Sequence, residues 1–241
     1  MKSVLTVIGA ISLSLGLVEP LSAATIIFQD SDFPVINWSE VELIDSGNNG
    51  SLLVNQVLSG GNSGAYRQGF HDWGPGFINY AHLYAPKTYK PSVSGAISSL
   101  DFFYDFSVLE VTNPSNGAVA TKFLIEQDNV FYTNSYIGQK VSPGIWTTNF
   151  GLGLVSDDFV DVAGSTRKPD FSINGGEIAF GFATLNSTGM ASGRTSTWGV
   201  DNWKVTIHQP TQSVPEPSSF ISYLLVLALG LGVKKNSAFD K

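Results

Sequence analysis

Between Ser98 and Val108 the side chains alternate: Leu100, Phe102, Tyr104 and Phe106 fall on one face, and Asp101, Phe103 and Asp105 on the other. Successive side chains of an extended chain point to opposite sides, so a period of two marks a β-strand with one face in a core and one toward solvent. The pattern returns at Lys122 to Gln127, which places Phe123 and Ile125 inward, and at Ile178, Phe180 and Phe182 against Glu177 and Gly181. Thr25 to Phe28, Ser51 to Leu58 and Phe77 to Tyr84 read as further strands. The last strand, Trp198 to Ile207, changes apolar register around Asp201-Asn202. A β-bulge there accounts for the change, since one extra residue returns the apolar set to the same face.

Turn formers separate these runs: Gly47-Asn48-Asn49-Gly50, Gly60-Gly61-Asn62 and Asn174-Gly175-Gly176. The domain contains no internal repeat and no amphipathic helical window. Short strands between Gly/Asn turns predict an all-β fold, a two-sheet antiparallel sandwich, over residues 25–212. That length is ample for one core. The chain has no cysteine, which excludes disulfide staples, thiolate metal sites and a cysteine nucleophile. Within 25–212 there are 17 acidic residues against 9 basic ones, a balance of −8, with no basic cluster to follow a phosphate backbone. Nucleic acid is therefore excluded as an expected partner.

The two ends read as targeting segments. Met1-Lys2-Ser3 carries a positive charge, Val4 to Val18 is apolar, and Ser22-Ala23-Ala24 offers small residues for cleavage. This is the plan of a secretory signal peptide, residues 1–24, whose apolar part forms the expected N-terminal signal helix. At the other end Val214-Pro215-Glu216-Pro217 precedes an apolar run, Phe220 to Val233, and then Lys234-Lys235. The run spans roughly 21 Å as a helix, short of the length a stand-alone membrane helix wants. Its context decides the reading: two prolines break the chain before it, and two lysines can reach the head groups and fix the cytoplasmic side. A single C-terminal membrane helix is expected over 219–233.

Pro215, Glu216 and Pro217, the apolar run and the lysine pair together resemble the PEP-CTERM sorting tails, here residues 213–241. The resemblance implies an exported protein of the cell envelope, cell surface or extracellular space. Its partners would be the export machinery and an exosortase-type protease, and the membrane would hold it through the C-terminal helix before processing. The basic cluster departs from the family, being only Lys234-Lys235 where arginine-rich clusters are frequent.

Within the domain, Gly60-Gly61-Asn62-Ser63-Gly64-Ala65-Tyr66, Gly199-Val200-Asp201-Asn202-Trp203-Lys204-Val205 and the opening Phe28-Gln29-Asp30-Ser31-Asp32-Phe33 with Trp38 resemble exported jelly-roll domains of the laminin domain IV and carbohydrate-binding-module kind. The resemblance implies a jelly-roll fold and a structural calcium tying the first loop to the last strand, through Asp30, Asp32 and Asp201. Calcium takes six to eight oxygens, so backbone carbonyls would complete such a site. The competing reading makes Asp30 and Asp32 turn formers and Asp201 the mark of the bulge. No other cofactor is required.

Aromatic residues are densest from Tyr66 to Tyr89. Rings with an apolar face and a polar tip suit sugars, which offer CH groups on one side and hydroxyls at the rim. The candidate sugar contacts are Trp73, Tyr66, His71, Tyr80 and Tyr84. Trp73 stands out because it lies in Phe70-His71-Asp72-Trp73-Gly74-Pro75-Gly76, a Gly/Pro stretch where a large ring is harder to assign to the core. The plainer reading is that these rings fill the core. No catalytic set emerges: Glu42-Leu43-Ile44-Asp45 lacks the third carboxylate of a Glu-x-Asp-x-Glu strand, and there is no Gly-x-Ser-x-Gly elbow, zinc helix or phosphate loop. The expected function is a non-catalytic surface module associating with extracellular polysaccharide. A structural or adhesion component of the matrix and a glycan-active enzyme stand as the other two readings.

Overall fold

The computed structural model describes residues 24–112, 117–134, 143–188 and 194–211. Apart from Ala24, the expected signal peptide lies outside the described residues. So does the sorting tail with its membrane helix, including Pro215, Glu216, Pro217, Lys234 and Lys235.

Twelve strands run through the described residues: β1 (Thr25–Asp30), β2 (Trp38–Asp45), β3 (Ser51–Val57), β4 (Tyr66–Trp73), β5 (Gly76–Tyr84), β6 (Ser99–Val111), β7 (Gly117–Gln127), β8 (Val130–Asn134), β9 (Thr147–Leu154), β10 (Phe159–Asp161), β11 (Ile178–Thr188) and β12 (Arg194–His208). They form two six-stranded antiparallel sheets. The front sheet has the order β3-β4-β12-β6-β9, with β1 also paired to β12, and the back sheet the order β10-β8-β7-β11-β5-β2.

The two sheets pack through the residues that the alternation points inward. Leu100, Phe102, Tyr104 and Phe106 of β6 are buried, as are Phe123 and Ile125 of β7 and Ile178, Phe180 and Phe182 of β11. Phe102 stacks on Phe123 with ring centres 5.0 Å apart, and Phe28 meets Phe180 edge-on at 5.5 Å. Burying each such ring removes on the order of 150–250 Å² from water, which makes these contacts the main source of cohesion between the sheets. Tyr104 keeps its hydroxyl satisfied by donating to Thr121 Oγ1 at 2.6 Å.

The expected bulge is present. Pairing of β12 with β6 shifts register between Asp201 and Lys204, and Asn202 takes φ 53°. Trp198 and Val200 before the shift and Trp203, Val205 and Ile207 after it all face the core.

At one end the space between the sheets is polar. Arg67, His71, His82, Thr184, Asn186, Arg194 and Ser196 are all buried there. Arg67 pairs with Glu40 and lies 5.4 Å from the Trp38 ring centre. His71 and His82 share Thr184 Oγ1, at 3.3 and 3.0 Å, and Asn186 engages the other nitrogen of His71. This end explains why β4 was not legible as a strand: Arg67, Gly69 and His71 occupy inward positions where an apolar alternation would stand.

The assignment of Trp73, Tyr66, His71, Tyr80 and Tyr84 as candidate sugar contacts is corrected here, since all five have the burial of the core-filling reading. Trp73 is 2 % exposed and packs with Ile78, Tyr80 and Leu52. His71, Tyr80 and Tyr84 are buried between the sheets, His71 lying 5.5 Å from Tyr80 and Tyr84 lying 5.1 Å from Trp203. Tyr66 is on the outer face of the front sheet, but Trp146 meets it edge-on at 5.4 Å and it too is buried. Trp73 is the last residue of β4, just before the Gly74-Pro75 turn, and its ring points inward because it continues the alternation of Arg67, Gly69 and His71.

Two outcomes are expected. Trp73→Ala should destabilise the domain by about 3–5 kcal/mol, the usual penalty for emptying a buried tryptophan site, measured by denaturant unfolding. Burial pushes the His71 imidazolium down to about 3, and burial, with Arg67 and His71 nearby, holds His82 well below its ordinary value. Both rings are therefore neutral in the folded state but protonate near pH 6.5 once unfolded, so stability is intact above that pH and falls as pH drops toward the folded-state values. The slope should approach about 1.4 kcal/mol per pH unit for each histidine near pH 5. A stability profile flat between pH 7 and 5 would contradict this burial.

Candidate functional site

The front sheet's outer face carries the other half of the β6 alternation: Asp101, Phe103 and Asp105. Next to it, β9 alternates in the same sense and presents Thr148, Phe150 and Leu152 outward. Phe103 and Phe150 are cross-strand partners. Directly opposed aromatic residues on one face reinforce each other's position, and here they form a small apolar step, with Phe150 60 % exposed. The Lys204 amino group lies 5.5 Å from the Phe103 ring centre.

Beside this step a cleft of about 420 Å³ opens, lined by Asn62, Phe103, Asp105, Thr148, Asn202 and Lys204 together with Asp30 and its neighbours. Its polar side chains form one network centred on Asp105. Asn62 and Asn202 donate to Asp105 Oδ2 at 2.9 and 2.8 Å, and Thr148 donates to Oδ1 at 2.6 Å. Hydrogen bonds to an ionised acceptor are the strong ones, so Asp105 holds three side chains from three different segments in fixed orientations.

The bulge builds the neighbouring wall. Asp201 Oδ2 accepts from the Ser63 N–H at 3.0 Å, and Oδ1 from the Asn202 N–H at 2.6 Å. This clamps the loop between β3 and β4 onto β12. Gly61 must be glycine, because a β-carbon there would come 2.6 Å from Asp201 Oδ2. Burial raises the Asp201 carboxyl above its ordinary range, against the pull of the Ser63, Asn202 and Asn62 N–H groups, and the nearby Asp105 adds to the rise. Thus the two glycine-rich stretches singled out in the sequence meet in space, and Asp201 is the contact.

Asp30, Asp32 and Asp201 do not converge as a calcium site. Asp30 Oδ1 accepts from the N–H groups of Asp32 and Phe33 at 3.0 and 2.8 Å, and Oδ2 from Trp38 Nε1 at 2.9 Å. Asp32 is exposed. With Asp201 committed to the glycine loop, the lone pairs of the two buried carboxylates point into separate turns. Among the described residues no three His, Asp or Glu side chains are grouped to hold a metal ion. The other sequence candidates are equally occupied: Asp45 caps the turn after β2 through the Gly47 and Gly50 N–H groups, and Glu42 accepts from Tyr80 at 3.1 Å.

None of the five rings assigned to sugar contact lines this cleft. The aromatic residues that do present themselves, Phe103 and Phe150, lie 47 positions apart in the chain and are brought opposite each other by strand pairing, and only Phe103 had a signal in the sequence, as the one aromatic on the polar face of β6.

No protein-family model matches the chain, and no curated protein is similar to it. Among solved structures it is similar to the CBM22-1 xylan-binding domain of Paenibacillus barcinonensis Xyn10C, with a TM-score of 0.37 and 9 % identity over 80 % of this chain and 99 % of that one. A CD-domain fragment gives 0.33 and 15 % over 72 % and 67 %. A structure solved with a xylogluco-oligosaccharide gives 0.31 and 14 % over 72 % and 39 %. Likeness this distant assigns no family, and the functional reading rests on the chain's own residues.

Proposed function

We propose that this chain is an exported, non-catalytic surface module of jelly-roll type that holds extracellular polysaccharide on the outer face of its front sheet. The observation that carries the reading is the juxtaposition of an aromatic step, half-buried Phe103 and exposed Phe150, with Asn62, Asn202 and Thr148 held in place by Asp105 and with the Lys204 amino group over Phe103. A pyranose ring has an apolar face that packs on such a step and hydroxyls that exchange hydrogen bonds with the neighbouring amides. The cleft opens to solvent beside the aromatic step, which suits a chain passing across it.

The same geometry speaks against catalysis. Glycoside hydrolysis needs one carboxyl group to give a proton and a second to act as base or nucleophile. Both oxygens of Asp105 and both of Asp201 accept hydrogen bonds from fixed donors, so these carboxylates serve as scaffolding. Export and sorting rest on the signal-like N-terminus and the Pro215-Glu216-Pro217 tail.

Two experiments test the reading. Phe150→Ala should weaken binding to the host's extracellular polysaccharide about 5- to 30-fold, the equivalent of losing about 1–2 kcal/mol at an aromatic contact, while leaving the melting temperature near wild type. Ile36→Ala, exposed and away from the cleft, should change neither. Absence of wild-type binding to every envelope glycan would sink the function, and full binding by Phe150→Ala would move the site elsewhere. For sorting, replacing Pro215, Glu216 and Pro217 by alanine should alter processing and location on cell fractionation, and unchanged behaviour would remove that part of the proposal.

A further inference from the structure

Strands at a sheet edge expose unpaired N–H and C=O groups to which another chain can add, and proteins ordinarily blunt them with charge, bulges, glycine or extreme shortness. Four of the edge strands here carry such devices. β2 has Glu40, Glu42 and Asp45 and a register shift between Glu42 and Ile44. β10 is three residues long and ends in Asp161. β9 shifts register against β6 and contains Gly151 and Gly153. β1 ends in Asp30, whose carboxylate closes the following turn.

β3 carries none. Its sequence, Ser51-Leu52-Leu53-Val54-Asn55-Gln56-Val57, has no charge, glycine or proline, and it pairs with β4 without a register break. Among the described residues nothing but β4 forms backbone hydrogen bonds with Ser51 to Asn55. Near its end Gln56 donates to the Asp32 carbonyl at 2.6 Å, and the 3-10 turn Val35–Asn37 lies beside the strand without a backbone hydrogen bond to it. Leu53 points outward at 64 % exposure, and Leu58 just beyond is likewise exposed.

We infer that β3 is a self-association edge, and that its occupant is a second copy of this chain, paired antiparallel about a two-fold axis at Leu53. That register is self-complementary. Leu53 faces the partner's Leu53 on the outer side, Leu52 faces the partner's Val54 on the core side, and Ser51 faces the partner's Asn55, so apolar meets apolar and polar meets polar at every position. A two-fold contact uses the same patch on both subunits and closes after two copies. The domain's net negative charge does not oppose the contact at close range, because no charged side chain lies on the strand. The pairing joins two six-stranded sheets into one continuous sheet and sets the two outer faces side by side. The inference does not require those faces to bind glycan.

The chain has no native cysteine, which makes site-directed cross-linking unambiguous. Residues directly opposed in an antiparallel pair have Cα atoms about 4.5–5.5 Å apart, within the roughly 4.4–6.8 Å a disulfide spans. Leu53→Cys in the full chain, in mild detergent and oxidised without denaturant, should give a covalent dimer, whereas Ser39→Cys, exposed on the β2 edge, should stay monomeric. Leu53→Lys should halve the mass seen by sedimentation, with wild-type melting and unchanged polysaccharide binding per chain. Equal cross-linking from both positions, no cross-link from Leu53→Cys, or a Leu53→Lys mass equal to wild type would overturn the proposal. Loss of glycan binding in the wild type would leave it standing and sink only the polysaccharide reading.

Discussion

The β-bulge at Asp201-Asn202 is the constraint on which both the core and the cleft depend. β12 is the longest strand described and pairs with β1, β4 and β6, so its register sets the register of the front sheet. A regular strand through this sequence would turn either Trp198 and Val200 or Trp203, Val205 and Ile207 out to solvent, because a shift of one residue moves every following side chain to the other face. The left-handed turn at Asn202 keeps both sets inside. Asparagine is among the few residues that take this conformation at modest strain, and its side chain is then free to reach Asp105. One local irregularity therefore seats two tryptophans in the core and places an amide at the mouth of the cleft.

The core is correspondingly divided. Along most of its length it is an aromatic and aliphatic layer whose contacts require no particular charge state. At the β4 and β5 end it encloses Arg67, two histidines and several hydroxyl and amide groups. Burying charge is expensive unless it is paired, and the arginine is accommodated by Glu40 and by the Trp38 ring. Even so, burial lowers the guanidinium to about 10, leaving it charged at neutral pH. The histidines take the other course and stay neutral. This end of the sandwich thus gains definite orientation from hydrogen bonds while remaining sensitive to acid in a way the apolar end is not.

The outer faces are also unlike each other. The back sheet's outer face carries a patch of Ala81, Ala183 and Leu124, ringed by Val41, Leu43, Leu83, Phe131 and Leu185. The front sheet's outer face mixes exposed rings with fixed amides and an ammonium group. A largely apolar patch offers contact without direction, whereas rings beside fixed donors discriminate among hydroxyl patterns. That difference, more than overall composition, singles out the front face.

Much of the fold was legible because it follows from periodicity. The alternations in β6, β7 and β11 named the buried rings correctly, and the register change in β12 announced its bulge, since both are consequences of extended-chain geometry acting within one strand. β4 escaped because its inward positions are filled by Arg67, Gly69 and His71, residues that only a partner strand can make suitable for burial: Gly69 leaves room for the Trp198 ring that lies over it, and Arg67 needs Glu40. The site was less legible still. By itself the sequence determined that this is an alternating, cysteine-free, acidic β-domain, and which rings are plentiful. Which rings meet solvent was decided only by tertiary structure. Exposure depends on what packs across the sheet, so Trp73 is enclosed by Leu52, Ile78 and Tyr80, while Phe150, in a glycine-rich stretch, is left 60 % exposed.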